Sequence, residues 1–454
     1  YSLDKDEMLR QIAEEPPLPF AERGVDAWPE VEPVLRRALA KDPAERFPSM
    51  AGFAAALAGI APPRPVPRPR PNDLADAEGL LERVLERVRP GGSVFESGVE
   101  TRPTASVNYG AAGIACALYR IAQGRADGEL LALADLWAER AAALLGTDGA
   151  YYNPEIQIGE ELIGPTALYH TAPGIHATRA LIAQAQSFEG LRDESVAAFL
   201  KSCADPGPNQ DVTLGRSGLL LGGSLLLDVL DEGGTRRELT TWGESQRQTL
   251  WDELDAQPPI RDDDSSVNLG LAHGWAGHLY AALRWSRSSG ADLPARFAER
   301  MNDLAACARP WGRGVRWRWH DVEGASAMPG WCNGSAGYLF LWTLAAEMLK
   351  EPRWQDLAER TAWNTWESSD AVLSLCCGLA GRSYALLSFW RKGGGEEWLA
   401  RARVLANRAA RAAAHPDSET PDSLYKGAMG VAALAGDLLQ PGQAAMPLFE
   451  EEGW

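Results

Sequence analysis

One motif recurs seven times along this chain: two glycines separated by two residues, leading into an apolar stretch with helical periodicity. The second copy departs from the pattern, because Thr171 stands where the first glycine is expected. The second glycines lie 44 to 61 residues apart, a loose period typical of folds built from repeated helical units. They are Gly113, Gly174, Gly218, Gly277, Gly337, Gly381 and Gly430.

More polar stretches alternate with these apolar ones, such as "GELLALADLWAERAAALLG" and "EEWLARARVLANRAARAAA". A mainly apolar helix followed by an amphipathic one is what an inner and an outer ring require. Seven such pairs predict an all-α fold, an (α/α)7 double-ring toroid with the repeat starts gathered at one end. An open helical solenoid would give a similar period. We expect the glycines to give the backbone freedom and to allow close approach of chain or ligand.

Three of the repeat starts carry residues whose side chains can bind a metal or transfer a proton. His273 directly precedes Gly274, Cys332 lies two residues before Gly334, and the pair Cys376 and Cys377 directly precedes Gly378. If the repeat starts converge, these side chains come together. A single cysteine beside a glycine turn is best explained by packing, but three at corresponding turns predict a metal site. Three thiolates suit Zn²⁺ and leave a fourth position for water or substrate.

For the histidines, too, a structural role has to be weighed against a catalytic one. A lone histidine at a helix start is often a cap or a packed ring. His273 shares its repeat position with the cysteines and is therefore predicted to be a general acid or base. We expect His170, His278 and His320 to be structural.

Composition limits the remaining possibilities. The formal net charge of −18 argues against nucleic acid and anionic membranes as partners. Six cysteines in 454 residues are too few for a disulfide scaffold and fit a reducing compartment. Neither a signal peptide nor an apolar run of about twenty residues is found, so we expect a soluble, cytoplasmic protein with no membrane partner.

A proline-rich segment, "PPRPVPRPRPND", marks a linker at residues 62–73, because dense prolines favour an extended spacer. It separates residues 1–61 from residues 74–454. The stretch "AKDPAERF" before it resembles the Lys-Asp-Pro-x-x-Arg-Phe turn near the end of Ser/Thr protein-kinase domains, with Asp42, Pro43 and Arg46 at the matching positions. Residues 1–61 are thus interpreted as the C-terminal remnant of a kinase-like domain, and the chain as a piece of something longer. An unrelated helical pair is the alternative. The catalytic motifs of kinases are not found, so no kinase activity is expected.

Residues from about 75 to 454 resemble the lanthionine synthetase C-like cyclases, the nisin cyclase family. The matching motifs are Gly-x-x-His-Gly-x-x-Gly at Gly270 to Gly277, Trp-Cys-x-Gly at Trp331 to Gly334, and Cys-[His/Cys]-Gly at Cys376 to Gly378. All three stand in the family's order and on its sevenfold repeat.

The resemblance implies roles for five residues. Cys332, Cys376 and Cys377 correspond to the family's zinc ligands, although the third ligand is usually histidine. His273 corresponds to the catalytic histidine, and Asp211, four residues before Gly215, to its acidic partner. By itself Asp211 is also compatible with an ordinary helix cap. Some members carry an arginine and a tyrosine flanking the zinc cysteine, where this chain has Met328 and Asn333, so roles tied to those groups are not expected here.

The implied reaction joins two residues of a dehydrated precursor peptide. A substrate thiol would lose its proton at the zinc, add to the β-carbon of dehydroalanine or dehydrobutyrine, and close a thioether ring after protonation by His273. Cys377 in place of histidine adds one negative charge, which predicts a more reactive sulfur. The kinase-like remnant and the three cysteines favour a class IV lanthipeptide synthetase, whose lyase and kinase domains would be partners.

Two other functions remain open at this point. The same zinc–thiolate chemistry could add glutathione to dehydrated residues. Alternatively, the chain could be a non-catalytic module that binds peptide or regulates a kinase.

Overall fold

The computed structural model describes residues 31–60, 74–264, 266–319, 328–368, 372–413 and 421–451, together with residues 10, 13, 14 and 17. The chain divides into two compact units, Tyr1–Pro71 and Asn72–Trp454. The predicted linker at 62–73 and His320 lie outside the described residues.

Within residues 31–60 of the smaller unit lie the helices α1 (Glu32–Ala38) and α2 (Met50–Ala58), with a 3-10 turn (Pro43–Glu45) between them. Asp42 caps this turn, since its carboxylate accepts a hydrogen bond from the amide of Ala44 at 2.8 Å. The Arg46 guanidinium closes the loop by donating to the carbonyl of Ala40 at 2.7 Å. Two of the residues predicted to define this turn therefore hold it together.

The larger unit is mostly helical and includes one short antiparallel hairpin, which the sequence pattern does not predict. Its elements are α3 (Ala75–Val88), α4 (Ser93–Ser97), α5 (Ala111–Arg125), α6 (Gly128–Ala143), α7 (Glu160–Ile163), α8 (Ala172–Ala185), α9 (Glu189–Ser202), α10 (Arg216–Val229), α11 (Gly234–Asp255), α12 (Trp275–Ser289), α13 (Phe297–Ala306), β1 (Arg309–Trp311), β2 (Gly314–Arg316), α14 (Ser335–Leu349), α15 (Pro352–Glu367), α16 (Leu379–Arg391), α17 (Glu396–Ala413) and α18 (Ala428–Asp437).

Each of the seven repeat starts leads into a largely buried helix: α5, α8, α10, α12, α14, α16 and α18. These inner helices pack in chain order, each against the next, and α18 packs against α5. Each also packs against a more polar outer helix, namely α6, α9, α11, α13, α15 and α17 for the first six and α3 for α18.

Close packing explains the second glycine of every repeat. A Cβ at Gly277 would lie 2.0 Å from the carbonyl oxygen of Leu271, six residues earlier, and one at Gly381 would lie 1.9 Å from that of Leu375. The other five second glycines show the same approach, at 1.9 to 2.2 Å. Any side chain there would push the helix away from the loop that leads into it. The glycines are thus required for close approach rather than for a left-handed backbone.

The C-terminal segment, here residues 446–450, packs among the inner helices. The Phe449 ring stacks on Tyr280 at 4.4 Å and meets Trp331 edge-on at 5.3 Å. The hydroxyls of Tyr169 and Tyr425 donate to the carbonyls of Leu448 and Pro447. An aromatic core therefore lies among inner helices and entry loops from different repeats. Among the helices of the described residues, none combines the length and apolar character needed to cross a membrane.

Candidate metal and acid–base site

Backbone hydrogen bonds join the loops that lead into the inner helices. In each repeat the bond involves the residue two before the helix N-cap, here called position −2; the residue directly before the N-cap is position −1. Six such bonds link the seven loops, each from the amide of one −2 residue to the carbonyl of the next, at 2.7 to 3.3 Å. In this order the −2 residues are Thr213, Ala272, Cys332, Cys376, Tyr425, Asn108 and Tyr169. The side chains at positions −1 and −2 of different repeats are therefore neighbours in space.

Three cysteines meet on two of these loops. The Cys377 sulfur lies 3.4 Å from that of Cys376 and 3.6 Å from that of Cys332, and all three sulfurs lie within 4.8 Å of one another. All six cysteines of the chain are free thiols. The three residues predicted from the repeat positions are thus brought together.

A glycine allows the two thiol loops to approach. A Cβ on Gly330 would lie 2.6 Å from the Cα of Cys377 and 2.8 Å from its carbonyl oxygen. Backbone atoms cannot move aside as a flexible side chain can. Gly330, four residues before the N-cap Gly334, therefore sets the separation of the two loops.

Lys426 lies against the thiols, and the sequence analysis does not single it out. Its Nζ is 3.2 Å from the Cys376 sulfur and 3.5 Å from the Cys377 sulfur. Lys426 occupies position −1 of the seventh repeat, the position held by His273 in the fourth and Cys377 in the sixth. A comparison of position −1 in all seven repeats would have revealed it.

The charges of this cluster depend on one another. Hydrogen bonds from the Cys332 and Cys377 thiols, together with the Lys426 ammonium, hold the pKa of Cys376 well below its usual range. The resulting charge on Cys376 raises the pKa of Lys426 despite burial. One thiolate facing one ammonium is therefore the favoured state of the metal-free cluster.

His273 and Asp211 form a pair on neighbouring loops. The Asp211 carboxylate accepts a hydrogen bond from the His273 Nδ1 at 2.9 Å, and the Thr213 hydroxyl lies 3.1 Å from the same nitrogen. Asp211 also accepts from the backbone amide of Leu214, so the carboxylate is fixed in place. Because a carboxylate can only accept, Nδ1 carries the proton, and Nε2 is the nitrogen left to exchange a proton with a substrate.

Two further histidines lie close by. His278 is buried, its Nδ1 lies 2.8 Å from the Ser217 hydroxyl, and burial lowers its pKa to about 4. His170 is also buried, and burial lowers its pKa to about 4. Its Nε2 lies 3.5 Å from the Asn108 amide nitrogen, and its Nδ1 has no hydrogen-bond partner among the described residues. His170 occupies position −1 of the second repeat, the position that His273 holds in the fourth. Its placement in the repeat therefore does not distinguish it from His273.

One cavity connects the two groups. It has a volume of about 590 Å³, and its lining includes Asp211, His273, Cys376, Lys426 and His170. The acid–base residues and one thiol of the cluster, Cys376, thus face the same space, which is large enough for a few residues of a peptide.

The cluster suits a soft metal ion. Three sulfur donors within 4.8 Å of one another can each supply one ligand to a single ion, and thiolate donors suit soft ions such as Zn²⁺ or Cu⁺. Met328 and Asn333 flank Cys332 on its loop, and neither supplies a thiol, imidazole or carboxylate ligand.

Comparison with known proteins agrees with this description. Residues 103–451 match the family model "Lanthionine synthetase C-like protein". Among solved structures, the chain is similar to "Nisin cyclase", with a TM-score of 0.58 and 15% sequence identity over 80% of this chain and 93% of that one. The prediction of a mostly helical protein with the fold of this cyclase is therefore confirmed. This chain belongs to the lanthionine synthetase C-like family.

Proposed function

We propose that the chain is a zinc-dependent lanthipeptide cyclase. It joins a cysteine of a dehydrated precursor peptide to a dehydroalanine or dehydrobutyrine of the same peptide, forming a lanthionine or methyllanthionine ring. The observation that supports this function is a cavity lined both by the His273–Asp211 pair and by Cys376, one member of the three-cysteine cluster.

Cys332, Cys376 and Cys377 would hold the metal. Zinc bound there supplies a Lewis acid that favours the thiolate form of a substrate cysteine. The fit is supported by the number of sulfurs and by their mutual distances, which bring three donors within reach of one ion.

His273 would transfer the proton, and Asp211 would orient its imidazole. As the substrate sulfur forms its bond to the β-carbon, the double-bond electrons move onto the α-carbon and its carbonyl. His273 Nε2 first takes the proton released by the substrate thiol, and the resulting imidazolium then delivers this proton from Nε2 to the α-carbon. Asp211 holds the ring through Nδ1, which keeps Nε2 available and stabilises the protonated form.

The order in which the inner helices contact one another also supports a specific fold. Seven inner helices that pack in a closed sequence, each with an outer partner, support an (α/α)7 toroid. In such a fold the loops at one end surround a common mouth, which would admit the precursor peptide.

We also propose a place for the chain in a larger enzyme. The Asp42–Arg46 turn supports a kinase-like origin for residues 1–61, and the three-cysteine ligand set supports class IV. Lyase and kinase domains would then dehydrate the precursor, and the cyclase would close the rings.

Metal analysis and a ring-closure assay test this proposal together. The purified chain is expected to carry about one zinc per molecule, and a Cys376→Ser, Cys377→Ser double variant is expected to lose it. Incubation with a peptide containing one dehydroalanine and one cysteine is expected to remove the thiol that alkylation detects. Cys307→Ser is the matched control, because Cys307 is buried outside the cluster and its sulfur bonds only a backbone carbonyl in the described contacts.

Two results would contradict the proposal. A chain that carries no zinc and closes no ring would favour a binding module. Zinc-dependent addition of glutathione to the dehydrated peptide, without ring closure, would favour the glutathione-adding function.

A further inference from the structure

Lys426 is a candidate for a role in the metal centre. Its Nζ lies within 3.5 Å of two of the three sulfurs, at 3.2 Å from Cys376 and 3.5 Å from Cys377. An ammonium group has three N–H donors and no acceptor, so Lys426 contributes charge and hydrogen bonds rather than a ligand atom.

The loop that carries Lys426 is held in place. The Lys426 amide donates to the Ser423 hydroxyl at 2.9 Å, and the neighbouring Tyr425 is bound through its amide to Asn108 and through its hydroxyl to Pro447. The Ser423 hydroxyl donates in turn to the carbonyl of Asn108. These bonds fix the backbone from which the Lys426 side chain extends to the two sulfurs.

Charge explains why a cation is useful at this position. Three thiolates and Zn²⁺ carry a formal charge of −1, and a substrate thiolate makes it −2. A site with histidine in place of Cys377 would be less negative by one unit. In a partly buried site such a charge is costly unless it is paired.

We infer that Lys426 is a positioning residue that offsets the extra negative charge brought by Cys377 and thereby stabilises the metal-loaded site. This inference rests on the proposed zinc function. Cys377 and Lys426 hold position −1 on loops that are neighbours round the ring, so the two residues act as a pair: the thiolate in one repeat and its counter-charge in the next.

A double-mutant cycle tests the pair. Zinc affinity is measured by competition with a chromophoric chelator for the wild-type chain, Lys426→Gln, Cys377→His and the double variant. Lys426→Gln is expected to weaken zinc binding by about tenfold or more in the wild-type background, because it removes a hydrogen-bonded counter-charge. In the Cys377→His background the same change is expected to cost less than about threefold.

Two control variants separate charge from structure. Lys426→Arg keeps the charge and is expected to retain most of the affinity. Lys201→Gln changes an exposed lysine on α9 and is expected to leave zinc binding unchanged. Thermal unfolding of the metal-free proteins shows whether each variant folds.

The outcomes are distinguishable. If the wild-type chain binds no zinc, the proposed function fails and this inference fails with it. If the wild-type chain binds zinc but Lys426→Gln costs nothing, or costs equally in both backgrounds, only the inference is overturned. Lys426→Arg as weak as Lys426→Gln, with both proteins folded, would also overturn the role of charge.

Discussion

The thiol half of the cavity and its histidine half share one backbone design but differ in what holds their side chains. The thiol half comprises the loops with Cys332, Cys376–Cys377 and Lys426, and the histidine half those with His170, Asp211 and His273. In both, the −2 backbone bond and a tightly packed glycine fix the loop.

In the histidine half, a carboxylate held by a backbone amide orients the imidazole. In the thiol half, the three sulfurs contact one another, and two of them contact the Lys426 ammonium. Conventional hydrogen bonds can thus orient an imidazole for proton transfer without any added group. Closely spaced sulfurs are a donor set that an ion would complete. The following predictions test whether the two halves are independent, from the largest expected effect to the smallest.

Removing the imidazole separates the two halves most sharply. His273→Asn is expected to lower kcat/KM for ring closure by about 10² to 10⁴, the usual contribution of a general acid or base, while zinc content stays at the wild-type value. Kinetic assay and metal analysis of the same preparation check this. His176→Asn, on α8 and outside the cavity lining, is the control. Loss of zinc in His273→Asn would show that the halves are not independent.

Gly330→Ala should disturb the thiol half alone. Its new Cβ would meet the backbone of Cys377 at 2.6 Å, so we expect the free energy of unfolding to fall by about 1–3 kcal/mol and zinc to bind more weakly. Urea unfolding and chelator competition measure the two effects. Gly159→Ala is a matched control, because a Cβ there meets nothing within 4 Å. Equal behaviour of the two variants would mean that Gly330 does not set the loop separation.

Buried His278, in helix α12 directly after the His273 loop, predicts an acid sensitivity. Burial lowers the pKa of His278 to about 4, whereas the unfolded chain binds this proton near pH 6.5. The folded state is therefore favoured above pH 6.5, and that stability is lost as the pH falls toward 4. Between pH 7 and pH 5 the loss from this residue is about 2 kcal/mol.

His278→Gln checks this value. Its unfolding free energy, measured in urea at both pH values, is expected to fall by about 2 kcal/mol less than that of the wild type. An identical pH dependence in the two proteins would assign the acid sensitivity to other groups.

Cys377→His places an imidazole in the thiol half, and we expect it to change activity least of these variants. It removes one negative charge from the ligand set, so we expect ring closure to slow by about two- to fivefold, less than 1 kcal/mol, while zinc is retained. Single-turnover rates with zinc-loaded protein measure this. Faster ring closure by Cys377→His would contradict the idea that the third thiolate makes the sulfur more reactive.

The sequence predicted the site because its residues recur at fixed places in a repeat. His273, Cys332, Cys376 and Cys377 all stand one or two residues before an N-cap glycine. Because the loops before the inner helices pack side by side, residues at the same position of different repeats lie close together in space. The same rule would have selected Lys426, whose residue type does not suggest a metal ligand, and His170, for which the sequence analysis predicts a structural role although it holds position −1 of the second repeat.

Other features depend on contacts that a repeat does not encode. The C-terminal segment around Phe449 follows the last repeat and has no counterpart in the others, so its insertion among the inner helices could not be read from the pattern. The β1–β2 hairpin lies between repeats and is likewise specific to one connection.

By itself, then, the sequence determined the helical repeat, the family and the convergence of three thiols with one histidine, because apolar periodicity and glycine spacing act locally and recur. The tertiary structure alone decided which groups surround them. Lys426 meets Cys376 across 50 residues, and the Thr213 hydroxyl meets His273 across 60. Such partners are set by the order in which helices pack on one another and by the close approach of loops, and both depend on packing between distant helices rather than on any one segment.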